Sequence, residues 1–162
     1  MKTVLTVAGS DPSGGAGIQA DIKTITAHGL YATSAITALT VQNTLGVSRV
    51  EPVPVGLVVQ QIDCVVGDIR PDAVKIGMLC NAEIVQAVAQ ALAHGQAECI
   101  VIDPVMISTS GHRLLDQEAV QWMKRKLFPM AQLITPNLPE AEALCGMRVR
   151  DEAEMERAAR LL

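Results

Sequence analysis

Short apolar runs alternate with helical repeats along the whole chain, and this alternation limits the fold more than any other feature. Residues 2–8 (KTVLTVA) read as a buried strand, stopped by a glycine-rich stretch from Gly9. Ile18, Ile22 and Ile25 then recur at helical spacing, and Gly29 supplies a stop. Residues 32–41, rich in Thr, Ile and Val, predict a strand, and Val47 to Val53 predict an extended segment returning beside it. Pro54 opens a helix to about Val66. A strand is predicted over 72–79, a helix over 81–94 and a buried strand over 98–102. A loop with Ser108-Thr109-Ser110-Gly111 leads to a helix from about Gln117. Residues 132–135 predict a fifth central strand, followed by Pro136 to Glu140 and a short helix to Cys145. Residues 151–162 predict an amphipathic helix with Met155, Ala158, Ala159 and Leu162 on one side and nothing after it to pack against.

Strands that are apolar almost throughout belong to a parallel sheet with helices on both faces. The expected fold is therefore α/β with right-handed crossovers, and ligands are expected at the carboxyl ends of the strands. The 162 residues, 49% hydrophobic and 19% charged, allow one domain with its own core and exclude a disordered chain. A net charge of −4 and three aromatic residues (Tyr31, Trp122, Phe128) exclude a nucleic-acid-binding surface. No apolar run approaches the roughly 18 residues of a membrane span, and Val4 to Ala8 is too short for a signal peptide core. Cys64, Cys80, Cys99 and Cys145 form no C-x-x-C pair and read as buried free thiols of a cytoplasmic protein.

The loop Gly9 to Gly17 (GSDPSGGAG) can bring a ligand close to backbone N–H groups at a helix start. It lacks the Gly-Lys-Ser/Thr of a P-loop. Gly15-x-Gly17-x-x-Ala20 is a partial dinucleotide fingerprint, but no acidic residue lies between Asp21 and Glu51 to hold a ribose. A plain strand-to-helix turn is the other reading. Asp21, taken alone, reads as a solvated acid favouring the helix dipole. Gln42-Asn43-Thr44 suits either a polar heterocycle or a turn. Asp103 ends a strand and can hold magnesium, directly or through water, or can cap a loop. Asn137 and Glu140 have the spacing of a capping box. Lys75 lies inside an apolar strand and must reach an edge or a partner. His28, His94 and His112 have no ligand spacing, so no zinc-type site is expected.

Taken together, these segments resemble the hydroxymethylpyrimidine and phosphomethylpyrimidine kinases of thiamine biosynthesis, in the ribokinase superfamily. The resemblance is carried by AGSDPSGGAGIQADIK (Ala8 to Lys23), ITALTVQNT (Ile36 to Thr44), KIGML (Lys75 to Leu79), DPVM (Asp103 to Met106) and ITPNLPEA (Ile134 to Ala141). It implies a ribokinase-like three-layer α/β sandwich, often dimeric, with a mostly parallel central sheet. It also implies ATP-dependent phosphorylation, with Mg2+, of 4-amino-5-hydroxymethyl-2-methylpyrimidine and then of its monophosphate. Gly9, Asp21, Gln42, Met78 and Val105 fall where the family surrounds the pyrimidine. Gln42 would bond the ring's amino and nitrogen edge, and Met78 and Val105 would touch its faces. Asp103, Asn137 and Glu140 fall where the family organises magnesium, water and the ATP phosphates, with Asp103 and Glu140 reaching the metal through water. The family's Gly-Thr-Gly segment, which carries the catalytic base and an anion hole, occurs nowhere in the sequence. The expectation is an N-terminal portion with the base beyond Leu162, inactive alone. A pyrimidine-binding module without catalysis and a pyridoxal-type vitamin kinase are the alternatives. The partners expected are the pyrimidine, ATP and a second copy of the chain, with no nucleic acid and no membrane.

Overall fold

The computed structural model describes residues 1–106 and 115–162. The predicted Ser108-Thr109-Ser110-Gly111 loop and His112 lie outside the described residues. Strand β1 (Thr3–Ala8) passes through helix α1 (Gly17–Ala27) to β2 (Tyr31–Ile36). The hairpin β3 (Ala38–Asn43) and β4 (Gly46–Pro52) follows, then α2 (Val55–Asp68), β5 (Ala73–Ile76), α3 (Ala82–His94) and β6 (Ile100–Ile102). Helix α4 (Gln117–Trp122) runs into a π-helical turn, Met123–Leu127, and a 3-10 turn, Phe128–Met130. The chain closes with β7 (Leu133–Ile134), α5 (Leu138–Cys145) and α6 (Glu152–Leu161).

Five strands form a parallel sheet in the order β2-β1-β5-β6-β7. The chain moves one way from β1 to β2 and the other way from β5 to β6. Right-handed crossovers therefore place α1 and α3 on opposite faces, which makes the three layers. The core lies between the sheet and the layer of α2, α3 and α4, around Leu5, Ile62, Ile76, Ile84, Leu92, Ile102, Met123 and Leu127. Asp72 anchors the sheet's lower end, accepting from the Thr3 N–H (2.8 Å) and from the Lys2 ammonium.

Three expectations are corrected. The single strand over 32–41 is two strands, broken at Thr37. The Thr37 N–H bonds the Ala8 carbonyl (3.0 Å), and its buried hydroxyl donates to the Met78 carbonyl (2.6 Å), so the chain leaves the main sheet there. The fifth strand joins the sheet beside β6 but is two residues long rather than four, with Leu133 exposed. The cysteines are not buried: Cys64 and Cys99 are exposed, and Cys80 and Cys145 are half-buried. Because β4 does return beside β3, antiparallel, the hairpin expectation holds. The final helix also has a neighbour: it packs on α5, with Ala158 buried and the Cys145 thiol donating to the Ala158 carbonyl (3.4 Å).

Candidate functional site

The chain diverges after β1 and after β5, and these two strands are neighbours. Their carboxyl ends open a crevice of the kind that binds ligands in such sheets. A cavity of about 580 Å3 fills it. Ala8 and Gly9 leave β1, Gly77 and Met78 leave β5, and Asp103 and Val105 follow β6. The first turns of α1 add Ala16, Gly17, Ala20 and Asp21, and the hairpin adds Thr40 and Gln42. All five residues expected around the pyrimidine thus converge on one cavity, together with Asp103. Asn137 and Glu140 do not line it.

Local structure aims each group. A bulge in the hairpin, where the register slips between Val41 and Gln42, leaves Ser48 as the extra residue on β4. Thr40 and Gln42 face the cavity, while Leu39 and Val41 are exposed. The Thr40 hydroxyl donates to the Ser10 carbonyl (2.7 Å), which ties the hairpin to the glycine loop. Gly9 lacks a side chain because Met78 occupies that space: a Cβ on Gly9 would run into Met78 Cε. Gly17 has φ +55°, and a Cβ there would collide with the Gly9 carbonyl oxygen. That oxygen accepts the Ile18 N–H (3.0 Å), which seats α1 on the end of β1.

Asp21 is not the solvated acid that its position alone suggests. It accepts from the buried Thr6 hydroxyl (2.6 Å) and pairs with Lys75 (3.0 Å), which answers where that strand lysine's charge goes. The Asp103 carboxylate has no hydrogen-bond partner among the described residues. Burial pushes it above the ordinary carboxylate range, Lys75 pulls it back, and Asp21 adds to the rise. Glu140 is 5% exposed. Burial raises its carboxyl too, against N–H bonds from Asn137 and Met106. The capping box is present: Asn137 Oδ1 accepts the Glu140 N–H (3.0 Å), and Glu140 Oε2 accepts the Asn137 N–H (3.0 Å). Glu140 Oε1 also accepts the Met106 N–H (3.3 Å), so this one side chain fastens α5 to the segment that carries Asp103.

Asp11 is a loop-organising residue of the cavity wall that the sequence motifs did not single out. It is 2% exposed and holds the whole glycine loop. Its Oδ1 accepts the Ser13 N–H (2.8 Å) and hydroxyl (2.7 Å), and its Oδ2 accepts the Gly15 (3.0 Å) and Ala16 (2.9 Å) N–H groups. Burial alone would raise its carboxyl. The bonds from Ser13, Ala16 and Gly15 together outweigh burial and hold it below the ordinary value. Asp-Pro-Ser-Gly is a turn-forming run in which Asp bonds the backbone two residues on, and that was the available signal.

The fold is the ribokinase-like one shared by solved vitamin kinases. A solved phosphomethylpyrimidine kinase from Clostridium difficile 630 superposes with a TM-score of 0.91 at 45% identity, over 99% of this chain and 71% of that one. A Staphylococcus aureus pyridoxal kinase solved with pyridoxal gives 0.89 at 34%, over 99% and 60%. The family model for phosphomethylpyrimidine kinase matches residues 11–162, and the chain belongs to that family. The hydroxymethylpyrimidine/phosphomethylpyrimidine kinase of Haemophilus influenzae is 49% identical over 162 residues, covering 100% of this chain and 60% of the relative. The chain thus spans about 60% of the length of that curated relative.

Proposed function

We propose that the chain forms a single ribokinase-like domain carrying the substrate side of an ATP-dependent kinase acting on 4-amino-5-hydroxymethyl-2-methylpyrimidine and then on its monophosphate. The convergence of Gly9, Asp21, Gln42, Met78 and Val105 on one cavity carries this reading. The Gln42 amide, which can both donate and accept, suits the amino and nitrogen edge of the ring. Met78 and Val105 supply apolar contact where no aromatic side chain stands.

Phosphoryl transfer needs positioning and charge neutralisation more than covalent chemistry. Asp103 fits a magnesium ion: its carboxylate faces the cavity without a protein partner among the described residues. Mg2+ is usually held by one or two carboxylates, several waters and the substrate phosphates. Glu140 Oε1 and Oε2 each already accept an N–H, so Glu140 would reach the ion through water while holding Asp103's segment in place. Asn137 orients Glu140 through the capping box. When bound, the ion would offset the charge repulsion between ATP and a phosphorylated acceptor. In this reading the base and anion hole are not among residues 1–162, so binding without turnover is expected.

Calorimetry tests the reading. The chain is expected to bind the hydroxymethylpyrimidine and to bind pyridoxal more weakly, in line with the higher identity to the pyrimidine kinases. Preference for pyridoxal would favour the pyridoxal-type reading, and binding of neither would end both. Gly9→Ala should weaken pyrimidine binding about tenfold, because the new methyl drives the Met78 side chain into the cavity. The same substitution should change the unfolding midpoint little, since a flexible side-chain end gives way. We further propose a homodimer in the cytoplasm. No described helix is long and apolar enough to cross a membrane, and sedimentation would read a species of twice 17.2 kDa.

A further inference from the structure

Lys75 has no part in the reading above. It stands on β5, the middle strand of the sheet. Its ammonium bends over Gly77, where a Cβ would lie 3.0 Å from Nζ. There it meets Asp21 Oδ1 at 3.0 Å and Oδ2 at 3.1 Å, while the fully buried Thr6 donates to Oδ2 at 2.6 Å. The Lys75 and Asp21 side chains are 26% and 17% exposed. Taking an ion pair this far out of water is costly, and well-packed aliphatic side chains often serve stability as well or better. Both members of the pair line the cavity that the ligand is proposed to enter.

The charge balance of the wall indicates what Lys75 does. The described lining residues include three carboxylates, Asp11, Asp21 and Asp103, and one cation, Lys75. Asp11 is committed to the N–H groups of its own loop. Lys75 and Asp21 cancel one another, and Asp103 lies within the field of both. The two proposed acceptors differ chiefly in charge: one is a neutral alcohol, and the other is a phosphate monoester with a charge of about −1.5 to −2.

We propose that Lys75 is a specificity-determining residue that neutralises Asp21 and so admits the monophosphate to a cavity whose carboxylates would otherwise repel it. The proposal rests on the pyrimidine-kinase reading and assigns the acceptance of the charged acceptor to one side chain. Without Lys75, Asp21 and Asp103 both face the ligand uncompensated. With Asp21 neutral, Lys75 instead becomes a free cation in the wall.

Calorimetry on the 162-residue chain, with the alcohol and its monophosphate and without magnesium, measures the ratio of the two affinities. Lys75→Met should lower the monophosphate-to-alcohol ratio by about tenfold, the size of one partly screened charge interaction. Asp21→Asn should raise the ratio, the double variant should return toward wild type, and Lys75→Arg should keep the wild-type ratio. An unchanged ratio in Lys75→Met overturns the proposal, as does an equal loss of both ligands, which would leave Lys75 a purely structural role. If Lys75→Met does not fold, Asp21→Asn carries the test: a ratio that fails to rise overturns the proposal. A wild-type chain that binds neither ligand overturns the functional reading itself, a separate result from either of these.

Discussion

Asp11→Ala is expected to lower stability by about 3 kcal/mol and to abolish pyrimidine binding. One carboxylate accepts from the Ser13, Gly15 and Ala16 backbone N–H groups and from the Ser13 hydroxyl. Hydrogen bonds to a charged group contribute about 1.5–3 kcal/mol each, and these four share one acceptor, so their losses do not simply add. Urea denaturation followed by circular dichroism measures the stability, and calorimetry the binding. Asp11→Asn, which keeps one oxygen acceptor, should lie between alanine and wild type. The pH dependence has a definite sign. The folded carboxyl titrates below its ordinary value, so its stabilisation is fully present above the unfolded value and is lost as pH falls through the folded one. The stability gap between wild type and Asp11→Asn should be flat near neutral pH and should shrink only below about pH 4. A gap that narrows near neutral pH would contradict the assignment.

Gly17→Ala should be comparably severe. An L side chain at φ +55° costs about 1–2 kcal/mol by itself. Its Cβ would also strike the Gly9 carbonyl oxygen, a backbone atom that no rotamer change can move. Relief requires α1 to lift from β1, which breaks the Ile18 to Gly9 bond and carries Asp21 away from Thr6 and Lys75. A total loss of about 3 kcal/mol is expected, with binding gone. Gly15→Ala is the control: its Cβ would meet only Asp11 Oδ2, at 3.8 Å, an ordinary contact. Equal denaturation midpoints for the Gly15 and Gly17 variants would refute this account.

Most of the fold was legible because hydrophobic periodicity reports burial directly. Helices α1 and α3 fall within a residue or two of expectation. The break at Thr37 left no local trace: Ala, Ile and Thr suit either side of it, and the cause is a buried hydroxyl bonding a carbonyl 41 residues away. In the site, the motifs located the cavity residues, but partnership was not in the motifs. Nothing around Asp21 announces Lys75, which comes from 54 positions along the chain. Glu140 shows the opposite case: the capping spacing was visible, and its second bond to Met106 was not.

The order of the strands also governs when the site can exist. β1 finds β2 across one helix, but its other neighbour, β5, arrives from far along the chain; Thr3 and Asp72 are separated by 69 positions. Distant pairings of this kind close late, because the chain entropy of a long loop must be lost before its contacts form. Until β5 docks, Asp21 has no ammonium and Gly9 has no Met78 above it. Binding competence therefore arrives with the pairing of β1 and β5 and not with the Asp11 bonds of the glycine loop, which join residues at most 5 positions apart. A ligand held across that seam would draw the folding equilibrium toward the closed sheet. Its protection would be registered in the slow amide exchange of β1 and β5, well beyond the residues it touches.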